Sequence, residues 1–76
     1  MTIDAIREAI HTVPFRPFAL RMAGGPVIKV KHPDYIAFGP KGRTLVVYGD
    51  DDSFKVVDVM LLTELEWPAP TATRRR

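Results

Sequence analysis

The stretch that decides the fold is residues 18–31, which read FALRMAGGPVIKVK. Apolar side chains recur at every second position on both sides of the glycine pair at 24–25, as is typical of a half-buried β-hairpin. The positions predicted to face the interior are Phe18, Leu20 and Met22 on the first strand, and Ile28 and Val30 on the second.

The loop between these two strands sets their register. Directly opposite residues of an antiparallel pair lie on the same face of the sheet. Both apolar sets therefore share one face only if the loop has an odd number of residues, three or five. The register predicted here places Leu20 opposite Val30 and Met22 opposite Ile28.

The rest of the chain repeats this alternation of strands and turns after one short helix. An apolar stripe predicts a helix over about residues 3–12, which ends before Pro14. Turn clusters at 23–26, 32–34, 39–42 and 49–52 separate β-rich runs between residues 18 and 67. Residues 27–38 are predicted to form one long strand bent at 32–33, and residues 58–60 a short turn.

A helix followed by five strands, with a bent second strand and a tight turn before the last, resembles the Sm-like small β-barrel. The segments 15–18, 32–35, 42–44 and 54–66 also resemble short bacterial proteins of uncharacterised function. The resemblance covers residues 2–67 and implies a mainly β fold, a five-stranded, strongly bent antiparallel barrel with one N-terminal helix. No segment matches the RNA-binding motifs of Sm-like proteins, so none of their base-contacting residues is carried over.

Length and composition predict one small domain without disulfide bonds. We expect a single domain over residues 1–67 and a disordered tail rich in Pro, Thr and Arg over 68–76. The chain has no cysteine, and its longest apolar run, residues 59–62, is far shorter than a membrane helix requires. A bacterial, cytoplasmic location is the expectation.

The sequence contains few residues that could form a catalytic or metal-binding site. The chain has one serine, Ser53, no cysteine and two histidines, so no nucleophile motif or metal-ligand spacing is present. Aspartates 50–52 are adjacent rather than alternate, which favours a solvated turn over a calcium loop. We predict a protein that is not an enzyme, with no catalytic residue, no metal and no cofactor.

A basic strip is the strongest hint of a binding function. The predicted register places Arg21 opposite Lys29 and Ala19 opposite Lys31, and like charges that face each other cost stability. Glu64 and Glu66 on the last strand could offset this charge, within the chain or between subunits, and so could nucleic-acid phosphates. Under the nucleic-acid alternative the contacting residues are Arg21, Lys29, Lys31, Lys41, Arg43, Arg74, Arg75 and Arg76.

The distribution of charge favours the other alternative, self-association. Residues 1–67 hold eight of the eleven Lys and Arg residues against all nine Asp and Glu, a net charge of −1. This near-neutral part weakens the case for nucleic acid.

Apolar residues outnumber the interior positions. Residues 44–48 and 56–62 are apolar on both faces, more than one short helix can cover. We therefore predict a homo-oligomer, with a protein partner also possible, whose interface includes Val46, Tyr48, Val57, Met60 and Leu62. The predicted core comprises Leu20, Val30, Ile36, Leu45 or Val47, Val56 and Leu65, with Ile6 and Ile10 above it.

Overall fold

The computed structural model describes residues 1–68. In chain order it contains helix α1 (Ile3–His11) and strands β1 (Phe18–Met22), β2 (Val27–Val30), β3 (Ile36–Phe38), β4 (Thr44–Tyr48), β5 (Phe54–Asp58) and β6 (Leu62–Glu66). Two single-turn 3-10 helices, Pro33–Tyr35 and Val59–Leu61, precede β3 and β6. The predicted tail over 68–76 lies outside the described residues apart from Pro68.

The predicted five-stranded barrel is wrong. The described residues form six strands in two separate antiparallel sheets, β2-β1-β6 and β3-β4-β5, and the two sheets do not close into a barrel. The mainly β character and the single N-terminal helix are as predicted.

The extra strand arises because the predicted long strand over 27–38 is interrupted. Pro33 has no N–H to donate to a ladder, and the chain turns there into a 3-10 helix. The His32 imidazole accepts a hydrogen bond from the Asp34 N–H at 3.1 Å, and the Tyr35 N–H donates to the His32 carbonyl at 3.0 Å. These local bonds replace strand pairing, so β2 and β3 belong to different sheets.

The β1–β2 hairpin has an odd loop, but its register differs from the prediction by two residues. Phe18 lies opposite Val30 and Leu20 lies opposite Ile28. The Met22 N–H donates to the Pro26 carbonyl at 2.9 Å, which leaves a three-residue loop over 23–25 whose two glycines have positive φ. A shift of two residues keeps the same side chains inward.

The register also moves the basic residues apart. Arg21 lies opposite Val27 rather than Lys29, and Ala19 lies opposite Lys29 rather than Lys31. Arg21 and Lys29 are therefore diagonal neighbours across the two strands, and their repulsion is weaker than that of a directly opposite pair.

The core lies between the two sheets and under α1. Its buried members are Ile6, Ala9, Phe18, Leu20, Ile28, Val30, Ile36, Leu45, Val47, Val57, Val59 and Leu62. The predicted inward position of Val56 is wrong, because Val56 is 66% exposed and Val57 is buried instead. The register of β5 against β4 places Val57 opposite the buried Leu45, so Val57 faces the core and Val56 faces outward. Two other predicted core residues, Leu65 and Ile10, are only partly buried.

Candidate interaction face and charged strip

The outer face of the second sheet carries a contiguous group of apolar side chains, hereafter the apolar face, formed by Val46, Tyr48, Phe54 and Val56. Val46 lies directly opposite Val56, and Tyr48 directly opposite Phe54, so all four project from the same side of β4 and β5. The rings of Tyr48 and Phe54 are tilted, with centroids 5.6 Å apart.

This face is uncovered in the single chain. Phe54 is 61% exposed and Tyr48 is 39% exposed, while Val46 is half-buried. Strand β4 contributes Leu45 and Val47 to the core and Val46 and Tyr48 to the opposite side. A strand that is apolar on both faces is typical of a sheet covered on both sides, and α1 and the first sheet cover only one.

A groove adjoins the apolar face at the end of β5. Its volume is 310 Å³, and Arg43, Thr44, Val56, Val57 and Asp58 line it. Thr44 lies opposite Asp58, and Val56 lies on the same side of the sheet, so three of the five residues that line the groove belong to the outer face.

The structure distributes the predicted interface residues over three environments. Val46 and Tyr48 lie on the apolar face, and Met60 is exposed in the 3-10 turn before β6. Val57 and Leu62 are buried in the core of the single chain.

Sequence reasoning missed Phe54 and Val56, the most exposed members of the apolar face. The short turn after Tyr48 determines their position. The Gly49 N–H donates to the Ser53 carbonyl at 2.8 Å, and Asp52 takes a positive φ of 70°. This tight turn places Tyr48 opposite Phe54, so Phe54 and Val56 follow Tyr48 to the outside.

Arg21, the centre of the predicted basic strip, is paired within the chain. β6 lies beside β1, and Arg21 Nε donates to Glu64 Oε1 at 2.8 Å, while its Nη2 lies 3.9 Å from Glu66 Oε1. The Thr63 hydroxyl also donates to the Arg21 carbonyl at 3.2 Å.

The other predicted basic residues are dispersed. Lys31 Nζ lies 2.8 Å from Asp50 Oδ2, and Arg43 Nη2 donates to the Met60 sulfur at 3.4 Å. Among residues 1–68, no carboxylate lies within 4.0 Å of the side-chain nitrogen of Lys29 or Lys41. Arg74, Arg75 and Arg76 lie outside the described residues.

The Lys31–Asp50 pair links the end of β2 to the turn between β4 and β5, and so connects the two sheets. The hydrogen bond from Lys31, followed by its positive charge, lowers the pKa of Asp50, and the same hydrogen bond raises the pKa of Lys31. The pKa of Asp51 is also lowered, first by the Ser53 hydroxyl and then by the Ser53 N–H.

We expect Asp50→Asn to lower stability near neutral pH and to have little effect in acid. Because the pKa of Asp50 is lowered on folding, its contribution is present above the unfolded-state pKa and is lost as the pH falls through the folded-state pKa. The raised pKa of Lys31 means that its contribution is lost only as strongly alkaline pH is approached. The pair is exposed, so the effect should be small.

Thermal unfolding of wild type and Asp50→Asn between about pH 2.5 and pH 7 measures this difference. Asp52→Asn is the matched control, since no cation lies within 4.0 Å of Asp52 among residues 1–68. A difference between wild type and Asp50→Asn that stays constant down to the lowest pH would contradict the assignment.

The described residues contain little else that resembles a reactive site. Every buried side chain in residues 1–68 is apolar, and these residues hold no cluster of three or more His, Asp or Glu that could bind a metal ion. None of the helices described is both long and apolar enough to cross a membrane.

Comparison with protein-family models, with curated proteins and with solved structures finds no match to this chain. The resemblance to short bacterial proteins stays a prediction.

Proposed function

We propose that this protein is a non-enzymatic interaction module that associates with itself through the apolar face of the second sheet. The observation that carries the proposal is that four neighbouring apolar residues, Val46, Tyr48, Phe54 and Val56, lie on one side of a hairpin, where all but the half-buried Val46 are exposed. Covering such a contiguous apolar surface is favourable, at roughly 25 cal/mol per Å² removed from water.

The distribution of polar groups supports a role in association rather than catalysis. Catalytic groups are commonly desolvated, and their pKa values are shifted by that burial. Among residues 1–68 no polar or charged side chain is buried, and the groups with shifted pKa values, Lys31, Asp50 and Asp51, are exposed in ordinary ion pairs and turns.

Nucleic-acid binding receives less support from the same residues. Phosphate binding needs cations that are free to replace the counterions of the backbone. Arg21 is engaged by Glu64 and Glu66, and Lys31 is engaged by Asp50. Lys29, Lys41 and Arg43 remain available to that alternative, but they are spread over β2 and the turn before β4 instead of forming one strip.

The test is to place a charge on the apolar face. We expect Val56→Glu to weaken self-association by at least about tenfold, equivalent to ~1.4 kcal/mol, because the carboxylate would be desolvated without a partner. Val56 is 66% exposed in the single chain, so the fold should be retained. Light scattering and sedimentation at roughly 10–100 µM, where micromolar contacts are populated, measure the change.

Val27→Glu is the matched control, because Val27 is an exposed valine on an edge strand of the other sheet. It should associate as the wild type does. Circular dichroism establishes that both variants remain folded, and absorbance at 260 and 280 nm reports any co-purified nucleic acid. A wild-type protein that is monomeric throughout this range, or equal association of the two variants, would overturn the proposal.

A further inference from the structure

Strand β5 is an edge strand, and its hydrogen-bonding phase can be established from its two ends. The Val59 N–H donates to the Arg43 carbonyl at 2.9 Å, and the Gly49 N–H donates to the Ser53 carbonyl at 2.8 Å. Both bonds continue the register of β4 with β5, in which hydrogen-bonded and non-hydrogen-bonded pairs alternate. Lys55 and Val57 therefore bond toward β4.

The alternate residues, Phe54, Val56 and Asp58, direct their backbone N–H and C=O groups away from β4. No other strand of residues 1–68 lies on that side of β5. The same three residues place their side chains on the outer face of the sheet. Strand β5 thus presents an open row of backbone hydrogen-bonding groups directly beside the apolar face, as an edge that can accept another strand does.

We propose that two copies of this chain pair through β5, antiparallel about a two-fold axis, with Val56 opposite the partner's Val56. The two β3-β4-β5 sheets then form one continuous six-stranded sheet, in which the two apolar faces lie side by side and contact each other along the seam at Val56. This inference rests on the proposed function, since it takes a second copy of the chain as the partner and places the contact at the β5 border of the apolar face. A two-fold contact of this kind closes on itself and yields a dimer.

The register follows from hydrogen bonds and charge. In a two-fold pairing, outer-face side chains lie opposite outer-face side chains when one residue of β5 lies directly opposite the same residue of the partner. Residues 55, 56 and 57 are the central positions of β5 that can take this place. Pairing about Val56 matches Phe54 with the partner's Asp58, Val56 with Val56 and Asp58 with Phe54, three hydrogen-bonded pairs within the strand. The other two registers leave only two such pairs, and the one about Lys55 places two lysines directly opposite each other.

The groove at the end of β5 accommodates this register. Phe54 of one copy arrives opposite Asp58 of the other, on the outer face, where the 310 Å³ groove opens beside Thr44 and Val56. Phe54 is 61% exposed, and its ring is tilted against that of Tyr48 on its own sheet. Arg43 at the rim can contact the face of the incoming ring, an arrangement that favours arginine.

The other sheet edges fit β5 less well. The outer face of the first sheet carries Arg21, Lys29, Glu64 and Glu66, so pairing β5 with the partner's β6 would bring the apolar face against charged side chains. Strand β3 spans only Ile36–Phe38. Pairing of β5 with itself places Val56 against the partner's Val56 at the centre of the contact, with no like charges directly opposite each other.

Disulfide trapping tests the register directly, because the chain has no cysteine of its own. Residues in a hydrogen-bonded antiparallel pair have Cα atoms about 5.5 Å apart, which a disulfide can span. We expect Val56→Cys to form a covalent dimer under mild oxidation at least about tenfold faster than the control Val27→Cys, since paired thiols meet at a high effective concentration. Non-reducing gel electrophoresis measures the rate.

The outcomes separate this inference from the proposed function. Association of the wild type by light scattering, together with fast cross-linking of Val56→Cys, supports both. Association without fast cross-linking overturns the β5 pairing and leaves the interaction module standing. Faster cross-linking in a mixture of Val56→Cys and Glu64→Cys than in Val56→Cys alone assigns the contact to β6 and also overturns the pairing. A monomeric wild type overturns both.

Discussion

Replacing Leu20 with alanine is expected to lower the free energy of unfolding by about 2–5 kcal/mol, the usual cost of truncating a buried leucine. Leu20 has no exposed surface, and it lies in the middle of β1, opposite Ile28 of β2 and Leu65 of β6. Neighbouring strands hold these side chains in place, so the cavity can collapse only in part. Urea denaturation followed by circular dichroism measures the loss.

Val56→Ala is the matched control for this substitution. Val56 is mostly exposed on the outer face, and we expect its truncation in the monomer to change stability by no more than about 0.5 kcal/mol. Both proteins should be measured at a concentration low enough to keep association negligible. A loss below about 1 kcal/mol for Leu20→Ala would contradict the inward assignment of β1.

Replacing Gly42 with alanine is expected to cost about 1–3 kcal/mol. Gly42 has φ of 69°, a conformation that disfavours any side chain. A Cβ at this position would also lie 3.3 Å from Cγ2 of Ile3, so the turn before β4 and the start of α1 would press against each other. Chemical denaturation gives the size of the effect.

Gly24→Ala separates the two causes. Gly24 also has a positive φ, but no atom would lie within 4 Å of its new Cβ. It should therefore show the conformational cost without the contact with α1, and the loss should be smaller than for Gly42→Ala. Combining Gly42→Ala with Ile3→Ala should give less than the sum of the two separate losses. Equal costs at the two glycines would show that α1 does not pack against this turn.

Local patterns were enough to predict which side chains of the first hairpin face inward. Phe18, Leu20, Ile28 and Val30 occupy every second position of their strands, and all four are buried. The helix could be predicted equally well, because its apolar stripe indicates its buried face and the following Pro14 indicates its end. The spacing of apolar residues and the positions of proline and glycine are local properties of the sequence, so they can be interpreted without knowledge of the tertiary structure.

Local patterns could not predict the register of the first hairpin or which side chains of β5 face inward. Loops of three and five residues keep the same faces inward, so the alternation could not choose between them, and the conformations of Gly24 and Gly25 in the folded hairpin select the shorter loop. Adjacent valines at 56 and 57 give no alternation at all. Their orientation depends on the tight turn that aligns β5 with β4.

The candidate sites depend on contacts between distant residues. Arg21 meets Glu64 only because β6 lies beside β1, and a charged residue on a strand does not reveal which strand will neighbour it. The exposure of Phe54 and Val56 likewise follows from which side of the second sheet receives the core.

The sequence by itself determined a small β-rich domain with one short helix, the inward set of the first hairpin and an excess of apolar residues in the second half of the chain. Only the tertiary structure decided that the strands form two open sheets, that the excess is gathered on one face beside a free edge, and that Arg21 is neutralised internally. The physical reason is that alternation and turn chemistry act over a few residues, whereas sheet closure, register and ion pairing depend on segments far apart in the chain.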